Sequence, residues 1–247
     1  MRNMTETVKQ LIIINIIFFI GTQLLGDVAY KYLSLYYPEN SDFKLWQPLT
    51  HMFMHGNLMH IFFNMFALYS FGTTLEQYWG TKKFLFFYIS CGLGAAFIHI
   101  LSNYYFFHEG LNVLIDSGIP KAQILQVLSE GKYDLSWQEV LLKSDFQSFI
   151  GAYMTPAVGA SGAVYGVLVA FAYMFPNAEL MMMFIPIPIK AKYFVPVIVG
   201  LDLFSGVTGF SVFGGGIAHF AHVGGALVGF LMMWYWKKNQ YHQNRWD

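Results

Sequence analysis

Hydrophobic residues in this chain fall in long blocks rather than in alternation. The first block covers residues 8–25, and apolar runs resume at about 52–75, 83–107, 157–175, 193–209 and 217–236. Each approaches the roughly 20 residues that a helix needs to cross a bilayer's hydrocarbon layer. The breaks between them are polar or rich in helix-breaking residues: 76–83 with Lys82 and Lys83, Pro176, Pro186, Pro188 and Pro196 around Lys190 and Lys192, and Gly214-Gly215-Gly216. The pattern predicts an all-α membrane protein of six transmembrane helices. Residues 8–25 also have the look of a secretory leader, but Gly26-Asp27-Val28-Ala29-Tyr30 offers no small-x-small cleavage site, so a retained helix is expected.

The least membrane-like part is the connection 108–148, which holds six of the fourteen acidic residues. Apolar positions recur three and four apart over 120–128 and 136–142, predicting two short amphipathic helices. Ser136-Trp137-Gln138-Glu139 has the spacing of a capping box. Three regions follow: an N-terminal segment 1–43 with the first helix and the start of an outer loop, a core 44–236, and a polar tail 237–247. With six spans both termini share a side. Arg2, Lys9, Lys82, Lys83, Lys190, Lys192, Lys237, Lys238 and Arg245 fall on it, against Lys31, Lys44, Lys121, Lys132 and Lys143 opposite. That bias predicts a multi-pass protein of the cell membrane with both termini cytoplasmic.

Composition agrees with the pattern. Apolar residues make up 56%, charged residues only 11%, where soluble proteins carry about 25% charged, and mean hydropathy is +0.45. A net charge of zero gives no field for nucleic acid, so the expected surroundings are lipid. The single Cys91 can form no internal disulfide, and nothing resembles a zinc-type cysteine cluster.

The polar residues inside the spans are the candidates for chemistry. Ser161 sits in Gly159-Ala160-Ser161-Gly162-Ala163-Val164-Tyr165-Gly166, just after Thr155-Pro156, a helix-start signal. A serine near a helix N-terminus has the dipole and free N–H groups to favour developing negative charge. Gly162, Gly166 and Ala170 make a stripe of small residues, and Ala221, Gly225 and Gly229 make another on the sixth span. If the stripes meet, His222 lies beside Ser161 and can take its proton as a general base. His60 and Asn64, one turn apart on the second span, would donate to an oxyanion with the Ser161 N–H. His219, one turn before His222, is the rival base. His51 and His55, also one turn apart, could ligate a metal or hydrogen-bond within the helix end. For His99 and Asp202, polar groups in the third and fifth spans, satisfied structural roles are expected. Phe210 and Phe213 are either interface aromatics or a cap over the site.

In these residues the chain resembles the rhomboid intramembrane serine proteases. The likeness covers about 44–236 and rests on several motifs in order: Gly159-x-Ser161-Gly162 with Tyr165, the Ala221-His222-x-x-Gly225-x-x-x-Gly229 pattern, His60 with Asn64 and the preceding His55, and Glu76 with Gly80 at the inner end of the second helix. The resemblance implies a rhomboid-like bundle and a Ser161–His222 dyad, without an aspartate partner for His222. His60, Asn64 and the Ser161 backbone would form the oxyanion site, and Tyr165 would stack on the imidazole. It calls for neither metal nor organic cofactor. Many members carry tryptophan-arginine in the first loop, where this chain has Trp46-Gln47. The expected function is a serine-type endopeptidase that cleaves transmembrane segments of membrane proteins near the outer leaflet. An inactive client-binding relative and a small-solute transporter are the alternatives. Both reactive residues being present argues against the first, and the absence of two similar halves against the second.

Overall fold

The computed structural model describes residues 3–182, 185–210 and 218–243 of the chain. Helix α1 (Glu6–Leu25) is apolar on all sides and is followed, after a turn at Gly26, by the short α2 (Asp27–Leu33). The first loop then carries α3 (Gln47–Thr50) and a 3₁₀ turn, His51–Phe53. Three stacked pieces make the second span: α4 (Leu58–Ala67), a π-helical turn at Leu68–Gly72, and α5 (Thr73–Trp79). Gly80, with φ of 75°, reverses the chain into α6 (Thr81–Asp116). Beyond it come α7 (Lys121–Ser129), a 3₁₀ turn over Leu135–Glu139, and α8 (Lys143–Met154). Helix α9 (Ser161–Met174) is central, and an antiparallel hairpin, β1 (Glu179–Met182) and β2 (Ile185–Lys190), leads to α10 (Ala191–Thr208) and α11 (His219–Gln243).

The fold is that of a helical membrane protein. Among the described residues, α1, the α4–α5 span, α6 and α10 are long and apolar enough to cross a bilayer. Helix α9 is apolar but has only 14 residues, a reach of about 21 Å. It is wrapped by its neighbours: Ala163, Val164, Val167 and Ala170 are buried in one core with Phe84, Phe87, Tyr88 and Cys91 of α6 and Met233 of α11. Glycines make this packing possible. A Cβ built on Gly225 would stand 1.9 Å from the Gly162 carbonyl oxygen, and one on Gly229 would stand 2.8 Å from the Gly166 Cα.

Several boundaries differ from the sequence expectation. Helix α9 starts at Ser161, not 157, because Ala157 is held extended by paired backbone hydrogen bonds to Leu35 and Gly159 adopts φ of 131°. Helix α6 continues past 107 to Asp116, and α8 is a helix where the sequence pattern predicts none. The expected capping box at Ser136 does not form. Asp134 is the cap instead, accepting from the Ser136 N–H at 2.9 Å over a single 3₁₀ turn. The proline-rich break after α9 is the β hairpin, the one sheet among the described residues and a departure from the all-α expectation. The sixth helix runs on to Gln243, beyond the boundary expected at 236, while its expected start at 217 and Gly214–Gly216 lie outside the described residues.

The connection 108–148 is a folded unit. Trp137, Phe146, Phe149 and Tyr153 enclose a second core with Phe107, Leu111 and Leu114 from the far end of α6, and Ile124 and Leu128 of α7 complete it. Asn40 of the first loop donates to the Tyr153 carbonyl, and His108 meets Glu39 at 2.9 Å, so loop and extension are joined. Within the loop Gln47 is fully buried. It accepts from the Tyr36 N–H and donates to the carbonyls of Lys31 and Asp42. Those three bonds need an amide, not a cation, which fits glutamine after Trp46.

At the opposite end of the bundle Glu76 closes the start of α1. Its carboxylate accepts from the Thr7 and Val8 N–H groups at 3.1 and 3.0 Å, and from the hydroxyls of Thr5 at 2.5 Å and Thr81 at 3.0 Å. These amides would have no partner within α1, so the second span supplies the cap that the first lacks. Trp79 meets Trp236 of α11 edge to face at 5.4 Å nearby, so the described beginning and end of the chain share this end of the bundle.

Candidate active site

The close approach of α9 and α11 brings together two side chains 61 residues apart: Ser161 Oγ and His222 Nε2 lie 2.8 Å from each other. Ser161 is the first residue of α9, so by helix geometry the N–H groups of Ser161, Gly162 and Ala163 have no partner within the helix. They face the loop from which the helix emerges. Gly159 holds that loop in place by donating to the His51 carbonyl at 2.9 Å. Tyr165, one turn on, lies flat against the His222 ring, with centroids 4.3 Å apart and planes 15° from parallel.

His60 flanks the serine from α4. A Cβ built on Gly159 would stand 2.8 Å from His60 Nε2 and 3.4 Å from Ser161 Oγ, so the missing side chain at 159 keeps open the space between imidazole and hydroxyl. His60 follows an Asn57 cap whose side chain accepts the His60 N–H at 2.9 Å. Asn64 is buried and donates from Nδ2 to the His60 carbonyl at 2.9 Å, leaving its second amide hydrogen free of that bond. His55 is fully buried with its ring edge-on to His60, centroids 5.0 Å apart. His51 Nδ1 lies 3.0 Å from the Gln47 carbonyl. Burial lowers the pKa of His51 to about 4, and burial together with His60 lowers that of His55 to about 3, so both are neutral at physiological pH. His51 and His55 do not come together with a third such side chain: no group of three His, Cys, Asp or Glu forms a metal set among the described residues.

Two of the remaining candidates belong to this neighbourhood. His99 of α6 pairs with Asn103 at 3.3 Å and, with His51 and Met52, lines a narrow cavity behind Ser161. Asp202 of α10 is 1% exposed, and its carboxylate meets three partners at once. Oδ1 lies 2.5 Å from His219 Nδ1 and 3.2 Å from His222 Nδ1, and Oδ2 accepts from the Tyr165 hydroxyl. The sequence points to no acidic partner for His222; in the structure this carboxylate stands against it. A signal was available, since a lone acid in an apolar span must be paired. Its partners depended on how three helices cross. His219 bonds to Asp202 through Nδ1. Phe210 follows the end of α10 with 66% of its surface exposed, and Phe213 lies outside the described residues.

A serine with an imidazole at hydrogen-bond distance, an aromatic ring fixing that imidazole and a second imidazole across an open space are the parts of nucleophilic acyl transfer. Comparison with known proteins identifies the family. Residues 42–115 and 137–239 match the family profile described as Rhomboid domain. Rhomboid protein 1, mitochondrial, of Saccharomyces cerevisiae is 26% identical over 186 residues, 75% of this chain and 40% of that protein. RHOMBOID-like protein 12, mitochondrial, of Arabidopsis thaliana is 27% identical over 180 residues, 73% and 43%. The human presenilin-associated rhomboid-like protein, mitochondrial, is 24% identical over 188 residues, 76% and 36%. The matches thus cover only about two fifths of these relatives' length.

Proposed function

The chain belongs to the rhomboid family, and on that premise we propose that it is an intramembrane serine endopeptidase acting on transmembrane segments of other membrane proteins. Ser161 Oγ attacks the scissile carbonyl while His222 Nε2 accepts its proton. The tetrahedral oxyanion sits in the space beside Gly159, facing His60, the free amide hydrogen of Asn64 and the Ser161 N–H; one such donor is worth on the order of 3 kcal/mol in the transition state. His222 then returns the proton to the leaving amine, and water activated by the same imidazole hydrolyses the acyl-enzyme. A substrate helix must unwind locally first, because its carbonyls are engaged in their own ladder. Small or helix-breaking residues near the cut follow from that. We extend the count of spans to six by adding α9 and α11, with both termini on the cytoplasmic side and cleavage near the outer leaflet.

The observation that carries this reading is the 2.8 Å contact between Ser161 Oγ and His222 Nε2. Its test is cleavage of a model transmembrane substrate in liposomes. Wild type is expected to cut and to be labelled at Ser161 by a fluorophosphonate, while Ser161→Ala and His222→Ala do neither. Cleavage that persists in Ser161→Ala overturns it.

A further inference from the structure

We propose that Asp202 is a positioning residue that makes His222 a base, so that the reacting pair works as a serine–histidine–aspartate triad whose acid is carried by α10. The inference rests on the reading of Ser161 and His222 as the reacting pair. A carboxylate buried among apolar helices is retained only when it is paired, and Asp202 is paired toward the site on every side. Tyr165 reaches it from α9, and His219 and His222 from α11.

The geometry dictates where the hydrogen on His222 sits. An ionised carboxylate only accepts, so a ring nitrogen 3.2 Å from Asp202 Oδ1 carries the hydrogen. With the hydrogen on Nδ1, Nε2 of the neutral ring presents its lone pair to Ser161 Oγ at 2.8 Å. The other tautomer would turn an N–H toward the hydroxyl and could not receive its proton. Asp202 also faces the positive charge that His222 acquires during attack. Tyr165 acts in two ways, since its ring is stacked on His222 while its hydroxyl holds Asp202 Oδ2. His219, at 2.5 Å, holds the same oxygen that His222 uses, and so orients the carboxylate rather than competing for the serine.

The test uses the full chain in liposomes with the substrate described above. Asp202→Asn, which keeps the shape and removes the acceptor charge, is expected to lower kcat on the order of 100-fold to 10,000-fold with KM changed by less than about twofold, as for a group acting only in the chemical step. Asp202→Glu recovers part of kcat. The loss from Asp202→Asn persists in a His219→Ala background, because the effect runs through His222. Wild-type protein labelled with 15N-histidine gives a reading independent of any acid variant: the neutral His222 signal, identified by its loss in His222→Ala, shows the hydrogen on Nδ1. An Asp202→Asn enzyme with wild-type kcat, or a neutral His222 with its hydrogen on Nε2, overturns the proposal while leaving the dyad intact. An active His222→Ala enzyme instead removes the function on which both rest.

Discussion

Gly225 of α11 lies against Gly162 of α9 so closely that a methyl group at 225 would stand 1.9 Å from the Gly162 carbonyl oxygen. No flexible side chain is there to yield, only backbone. Gly225→Ala must therefore push the two helices apart. Overpacking of this kind destabilises by about 1–3 kcal/mol, and the displaced helices carry Ser161 and His222. The variant should melt earlier in detergent and show severely reduced cleavage and fluorophosphonate labelling. Gly21→Ala in α1, where nothing lies within 4 Å of the added carbon, should match or slightly exceed wild-type stability, by up to about 1 kcal/mol.

Glu76 should matter for stability and not for chemistry. Its carboxylate accepts two α1 amides and two threonine hydroxyls at the end of the bundle away from Ser161. Glu76→Ala leaves those donors buried without acceptors and should destabilise by roughly 2 kcal/mol. The thermal midpoint falls, the start of α1 becomes open to proteolysis, and the rate per folded molecule at low temperature stays close to wild type.

Acid should weaken the fold through the first loop. His51 is held neutral by burial, with its pKa lowered from 6.5 to about 4, and His55 lowered to about 3. In the unfolded chain both protonate near pH 6.5. The unfolded state therefore binds more protons below that pH, and the stability held in full above pH 6.5 is lost as pH falls toward 4, at up to about 1.4 kcal/mol per pH unit for each group. Thermal midpoints measured from pH 7.5 to 4.5 should fall on the acid side, and His51→Gln should flatten the slope. An unchanged slope in His51→Gln would assign the acid sensitivity to other groups.

The extension between α6 and α9 should come apart on its own. Trp137 is 2% exposed and packs edge to face on Phe149, 5.9 Å between centroids. Trp137→Ala removes the largest side chain of that separate core, a change that costs about 3–5 kcal/mol. Trypsin should then cut at Lys121 and Lys132, which wild type protects better, while the α6–α9–α11 packing persists. Simultaneous loss of both regions would mean that the two cores fold as one.

Much of this architecture was legible because lipid imposes a coarse code. A span must be apolar for its whole length, so the blocks marked out α1 and α10 to within about two residues, while the α4–α5 span starts six residues later and ends four later than its block, and α6 runs on for extra turns. Glycines four apart on α9 and α11 were legible too, and the structure packs them against each other. Less legible was anything set by contacts distant in the chain. Nothing local tells that Ala157 pairs with Leu35 and delays the helix until Ser161. Helix α8 was hidden by Lys143, Ser144 and Asp145, although its buried Phe146, Phe149 and Tyr153 keep helical spacing. The tie between Asp202 and His222 depends on how α10 crosses α11, which no spacing within either helix records.

The brevity of α9 bears on how the proposed hydrolysis would find its water. A rod reaching about 21 Å falls about 9 Å short of a hydrocarbon layer roughly 30 Å thick. The residues that would have lengthened it, Pro156 to Gly159, form a loop with a single backbone bridge from Ala157 to Leu35, and the helix starts only at Ser161. In the proposed reaction that deficit would form a well, whose polar edge would admit bulk water to the depth at which the acyl ester on Ser161 is to be broken.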